Sequence, residues 1–198
     1  MPKVVNHEQR RELLATTAGQ LIAKQGVAKA TVRNVARRAG VSTGTVSHYY
    51  SDSRELLFAA YQLAFRTSAA RFVMAMENDS SFEGLLKAIA NALPCDDITL
   101  SEWRVRMAFW GVSDYADDIQ QFEQAAGSQF RQLISDRLKA LAREKTIRLA
   151  VSPVHAARSI EGLLTGTAIQ RLVSPGAESS AIAVKRLREQ VRRGVLQE

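Results

Sequence analysis

Cysteine is almost missing from this chain: among 198 residues only Cys95 carries a thiol, and only His7, His48 and His155 carry an imidazole. A single thiol cannot close an internal disulfide, and no Cys/His group has zinc spacing, so neither staple is expected. Cys95 sits beside Asp96 and Asp97, carboxylates that disfavour a reactive thiolate, and reads as an ordinary loop residue. No apolar run approaches the ~20 residues that span a bilayer. Met1-Pro2-Lys3 leads into a charged helical pattern and not into the apolar stretch of a signal peptide. A cytoplasmic protein without a membrane partner is therefore expected. Phosphate loops, nucleophile motifs and metal-ligand spacings are lacking too, which argues against an enzyme and against a cofactor. Alternating apolar and polar residues, the mark of strands, are nearly absent.

Basic charge is what the chain does have. The formal net charge is +7. Lys3, Arg10, Arg11, Lys24, Lys29, Arg33, Arg37 and Arg38 stand in residues 1–50 against only Glu8 and Glu12. A second basic cluster, Lys185, Arg186, Arg188, Arg192 and Arg193, lies near the other end. A polyanion would be drawn mainly to the N-terminal segment.

Helical spacing recurs throughout and predicts an all-α protein of about nine helices. Leu13, Leu14, Thr17, Ala18, Leu21 and Ile22 mark a first helix, His7 to Gln25, stopped by Gly26. Thr31 is placed to cap Val32 to Ala39, and Ser42 to cap Thr43 to Tyr49; Asp52 or Ser53 can cap a long helix from Arg54 to about Asn78. Further helices are expected at about 81–93, 99–114, 117–144, 153–173 and 178–195. Pro94, Ser152-Pro153 and Ser174-Pro175-Gly176 separate them.

The stretch Thr31 to Leu57 carries the function. Two short helices meet at the tight turn Gly40-Val41-Ser42, with Val35, Ala36, Ala39, Val41 and Val46 sized to pack them at a steep angle. That is the layout of a helix-turn-helix, whose second helix enters the major groove. Thr43, Thr45, Ser47 and His48 fall on or near its exposed face and are short enough to touch base edges. Arg33 can reach a guanine edge or a phosphate. Lys29, Thr31, Ser42 and Tyr49 can bind phosphate oxygens, helped by free backbone N–H groups at the helix starts. Tyr50 reads as an aromatic core plug.

In order and spacing, Thr31, Val35, Ala36, Ala39, Gly40, Val41, Ser42, Gly44, Tyr49, Tyr50, Leu56 and Leu57 resemble the DNA-binding domain of TetR-family repressors. Ser42-Thr43-Gly44 with Ser47-His48-Tyr49 is more similar to the betaine-pathway repressor branch than to the tetracycline-responsive one. Two positions depart from the pattern: Ser47 where a tyrosine is common, and Ser53 where a lysine often holds a phosphate. Arg54 is the substitute for that lysine. The resemblance implies a helix-turn-helix DNA-binding domain over 1–52, with Gly44 among its contact residues, and a helical ligand-binding and dimerisation domain over 53–198. It also implies a homodimeric repressor, released from a pseudo-palindromic double-stranded operator by a small molecule. An architectural DNA-binding protein without a ligand is the alternative; it would leave the second domain unexplained.

Within that domain, Trp103, Met107, Trp110 and Asp114 recur at helical spacing, with Arg106 beside them. Such a stripe could line a pocket for a cationic or aromatic effector; it could equally be bundle core. Ala108-Phe109-Trp110 is again similar to the betaine branch, which suggests a choline-like ligand, although Arg106 opposes a cation unless Asp114 or Glu102 pairs with it. Gly162, Leu163, Gly166 and Ile169, with Val184, Leu187 and Val191 of the last helix, are the expected dimer interface, two helices from each subunit forming a four-helix contact.

Overall fold

The computed structural model describes residues 7–110, 112 and 115–197. Among them lie nine helices: α1 (His7–Gln25), α2 (Val32–Ala39), α3 (Thr43–Tyr49), α4 (Ser53–Asn78), α5 (Phe82–Ala90), α6 (Asp97–Phe109), α7 (Ala116–Arg143), α8 (Pro153–Val173) and α9 (Ser180–Val195). The described residues form no strand; Leu149 and Leu196 make one isolated bridge. None of these helices is long and apolar enough to cross a membrane.

The helix starts follow local chemistry. The side chains of Thr31, Ser42, Ser81, Ser152 and Ser179 each accept the backbone N–H three residues on, satisfying a donor that the first helical turn leaves unpaired. Of the two candidates before α4, Asp52 makes the cap, accepting from Glu55 N at 2.8 Å. The sixth helix departs from expectation. It begins at Asp97, where Asp96 Oδ1 accepts Thr99 N at 2.8 Å, and ends at Phe109 instead of reaching 114. Trp110 thus lies just past the helix end, and the expected Asp114 falls outside the described residues.

The Cα framework divides into two compact units. The first comprises Met1–Thr67 and Ser101–Ile119; the second comprises Ser68–Leu100 and Gln120–Glu198. This partition differs from a boundary at residue 52, because the start of α4 and most of α6 belong with the N-terminal helices. Leu14, Ile22, Val35, Val46, Leu56, Tyr61 and Phe109 make the core of the first unit, and no more than 2% of any of them is exposed. Tyr61 meets Phe109 edge-on, and Phe109 meets Tyr115 the same way.

In the second unit, Leu85, Leu86, Ile89, Ile134, Leu138, Ile160, Leu187 and Val191 are buried. Gly84 is required there: a Cβ at this position would stand 2.0 Å from the Asp79 carbonyl oxygen. Glu83 of α5 pairs with Arg188 and Arg192 of α9. Arg137 donates to the carbonyls of Met76 and Ser80 at 3.1 Å each, holding α7 to the end of α4 within this unit.

Candidate nucleic-acid interface

The reading helix is built by one turn and one buried valine. Gly40 adopts φ +68°, the left-handed region that a side chain disfavours, and lets α2 stop abruptly. Val41 N then donates to Ala36 O at 3.0 Å, and Ser42 caps α3 two residues after the glycine. Val46 is fully buried, as are Val35 and Ala36 of α2, the helix that α3 packs against. With Val46 inward, helical geometry turns the polar residues out: Ser42, Thr43, Gly44, Ser47 and His48 are all exposed. Thr45 is half-buried, its hydroxyl 3.0 Å from that of Ser42. A short polar surface on a helix of seven residues is what a major groove can admit.

Around it the expected phosphate contacts are spread over the first unit. Thr31 and Arg33 are exposed at the start of α2, and Lys29 is exposed in the preceding 3-10 turn. Asn34 Nδ2 donates to Lys29 O at 2.8 Å, fixing that turn against α2. Arg54 is differently placed from a simple phosphate ligand. Its guanidinium is paired with Asp118 and lies 5.6 Å from the centre of the Tyr115 ring.

Sequence reasoning missed the residues that hold α3 in place. Arg11 of α1 donates to the Tyr49 carbonyl at 2.7 Å and to Glu55 Oε1 at 2.6 Å, and stacks 4.4 Å from the Tyr50 ring centre. Tyr50 Oη returns a bond to Arg11 O at 2.9 Å, so this aromatic plug is also a tie. Glu55 Oε2 accepts from Ser51 N at 2.8 Å and Ser51 Oγ at 2.9 Å. These bonds, that from the Ser51 backbone foremost and Arg11 next, hold the Glu55 carboxyl below its ordinary range. Glu55 in turn raises the Arg11 pKa, and burial raises that of Tyr50. The C-terminal end of the reading helix is thereby anchored to α1 and α4 at once. His7 adds a further contact: its Nδ1 is 3.3 Å from the Tyr49 hydroxyl, and its ring centre is 6.2 Å from that of His48. Arg11 and Glu55 each sit in an ordinary amphipathic pattern, so the only clue in the sequence was two opposite charges beside apolar positions.

The expected effector stripe is not one uniform face. Trp103 is 4% exposed and belongs to the core, whereas Trp110, past the helix end, is 42% exposed. Met107 and Arg106 are half-buried. Arg106 lies among aromatic rings, 4.2 Å from Phe65, 4.3 Å from Trp103 and 5.8 Å from Trp110.

In the second unit, Gly162 and Gly166 are exposed with open space above them, and Leu163, Ile169 and Val184 are half-buried. Leu187 and Val191 correct the expectation: both are fully buried inside the chain's own core, so neither is available to another subunit. Among the described residues no group of acidic, histidine or cysteine side chains is arranged to hold a metal ion.

Comparison with known proteins fits this arrangement. Residues 14–61 match the bacterial regulatory proteins of the tetR family, and residues 82–196 match the C-terminal domain of BetI-type transcriptional repressors. The transcriptional regulator BetI of Serratia proteamaculans is 27% identical over 195 residues, 97% of this chain and 98% of that protein. The regulator PksA of Bacillus subtilis is 31% identical over 120 residues, 60% of this chain and 58% of that protein. A Saccharomonospora viridis protein, described as a regulator and solved in complex with choline, is similar in fold; its TM-score is 0.84 at 18% identity, over 96% of this chain and all of that one. A transcriptional regulator from Rhodococcus has a TM-score of 0.77 at 23% identity, over 93% of this chain and 97% of that one. With its reading helix inside one matched region and helices α5 to α9 inside the other, the chain belongs to the TetR family of transcriptional regulators, with a BetI-type C-terminal domain.

Proposed function

We propose that this regulator acts in the cytoplasm as a homodimer that represses transcription at a pseudo-palindromic operator and lets go when a small molecule binds. One observation carries the DNA half of this reading: α3 turns Thr43, Gly44, Ser47 and His48 to solvent above a fully buried Val46. Thr43, Thr45, Ser47 and His48 contact base edges, while Lys29, Thr31, Arg33, Ser42 and Tyr49 position the head on phosphates. Two such heads related by a two-fold axis reach successive major grooves about 34–36 Å apart. The open faces of Gly162 and Gly166 support a second copy packing against α8, with Leu163, Ile169 and Val184 at its margin.

The effector site is assigned to the residues around Trp103, Arg106, Met107 and Trp110. Support comes from the contacts that Arg106 and its neighbours on α6 make to α4. Thr67 Oγ1 donates to Glu102 at 2.8 Å, Arg106 lies over Phe65, and Tyr61 meets Phe109. A ligand that disturbs α6 therefore disturbs the helix that also carries Glu55, one anchor of α3. To release DNA usefully the ligand must favour the non-binding state by a few kcal/mol.

Selection from a random duplex library tests the first half. The full-length protein should enrich a two-fold symmetric sequence, and Thr43→Ala with His48→Ala should abolish that enrichment. Salt-dependent binding with no enriched sequence would instead support the architectural alternative. For the second half, a thermal-shift screen of quaternary amines and flat aromatic compounds identifies an effector. Operator DNA must then weaken its binding by the same factor by which it weakens operator binding.

A further inference from the structure

Tyr49, the last residue of the reading helix, is held by α1 at two points. Its carbonyl accepts from Arg11 at 2.7 Å, and its hydroxyl lies 3.3 Å from His7 Nδ1. His7 and Arg11 stand one helical turn apart, so both side chains come from the same side of α1. Ring contacts add to the hold. The Tyr49 ring centre is 5.8 Å from that of His7 and 5.1 Å from that of His48, the latter pair edge-on. Arg11 fixes the main chain of Tyr49, whereas His7 acts on its side chain alone. A phenol that nothing held beforehand would have to be ordered by the DNA, at a cost in affinity. The contact between phenol and imidazole lies at the protein surface, where a duplex can reach it.

The chemistry of that contact has a direction. A phosphate oxygen only accepts, so Tyr49 binds it by donating the phenolic proton. The phenol oxygen then keeps lone pairs to accept with, and His7 Nδ1–H is a donor within reach. His7 donates to Tyr49, Tyr49 donates to phosphate, and each bond polarises the next. Either ring nitrogen of a neutral imidazole can carry the proton, so the chain needs only the tautomer protonated at Nδ1.

We propose that His7 is a positioning residue for DNA binding: it orders the Tyr49 phenol and directs its proton to a backbone phosphate. The inference rests on the proposed phosphate contact of Tyr49, and it brings the start of α1 into the interface without any reading of a base.

Fluorescence anisotropy of the full-length protein with the enriched operator and with a scrambled duplex tests the inference. His7→Ala should weaken binding to both by about threefold to tenfold, because a phosphate contact carries no sequence information. Tyr49→Phe should weaken both at least as much, and adding His7→Ala to it should cost nothing further. His7→Gln, whose side-chain amide also donates, should recover most of the affinity. That recovery, and the lack of additivity, are what a merely structural role for His7 would not produce. Circular dichroism confirms that each variant is folded, and His7→Ala should melt within about a degree of the wild type. Tyr49→Phe that binds DNA as tightly as the wild type overturns the phosphate contact and the inference with it. If Tyr49→Phe does bind weakly, four results overturn the inference alone: wild-type affinity in His7→Ala, a full additional loss in the double variant, no recovery in His7→Gln, or a loss confined to the operator.

Discussion

Replacing Arg11 by methionine isolates the anchoring of the reading helix, because methionine keeps the apolar stem and removes only the guanidinium. Three interactions are lost: the bond to the Tyr49 carbonyl, the ion pair with Glu55 and the stack on Tyr50. Arg11 and Glu55 side chains are 41% and 39% exposed, so the ion pair is worth only about 0.5 kcal/mol after solvent screening. The charge-assisted bond to a partly buried carbonyl contributes about 1 kcal/mol, and the exposed cation–π contact about 0.5 kcal/mol. The expected loss is therefore about 2 kcal/mol, a fall of about 4–8 °C in Tm for a chain of this size. Operator affinity should fall as well, because the C-terminal end of α3 loses its tie to α1, while affinity for unrelated duplex changes less. Calorimetric melting and fluorescence anisotropy with operator and scrambled DNA measure the two effects. A variant that melts within about a degree of wild type and discriminates the two duplexes equally well refutes the anchoring argument.

The same network has a pH signature. The Glu55 carboxyl is held below its ordinary value, so its contribution is fully present above the unfolded carboxylate pKa of about 4.3 and is lost as pH falls through the folded value. Glu55→Gln should flatten the acid limb of the stability profile, and an unaltered limb would show that Glu55 is not responsible. Gly40→Ala places a side chain at φ +68° and should cost about 1–2 kcal/mol in thermal stability, with operator binding reduced at the same time. Asp118→Asn removes the carboxylate that holds Arg54, so if Arg54 also serves a phosphate, the salt dependence of operator binding should steepen by about one counterion per head; an identical slope rules that role out. Gly166→Leu fills open space on α8 and should shift the protein towards monomer in analytical ultracentrifugation. Leu187→Ala, in contrast, should lower stability by about 2–5 kcal/mol, as expected for a buried leucine. A Gly166→Leu protein that remains fully associated removes α8 from the interface.

By itself the sequence determined what depends on neighbours a few residues away. Thr31 and Ser42 cap α2 and α3, Gly40 stops α2, and the spacing from Thr31 to Leu57 makes a helix-turn-helix of a recognisable family. A cap, a left-handed turn and a 3.6-residue period are all settled within one or two turns of backbone, so they can be read from the residues in order. Tertiary structure alone decided which side chains meet across distance. Arg11 and Glu55 are 44 residues apart and Arg54 and Asp118 are 64 apart, and each looks like a solvated charge until the helices carrying them pack. Leu187 and Val191 show the same limit for apolar residues: their spacing marks a buried face but is silent on whether that face is covered by another subunit or by the chain itself. A hydrophobic pattern records the need for burial, not the identity of the covering surface, and that choice is made only when the whole core closes.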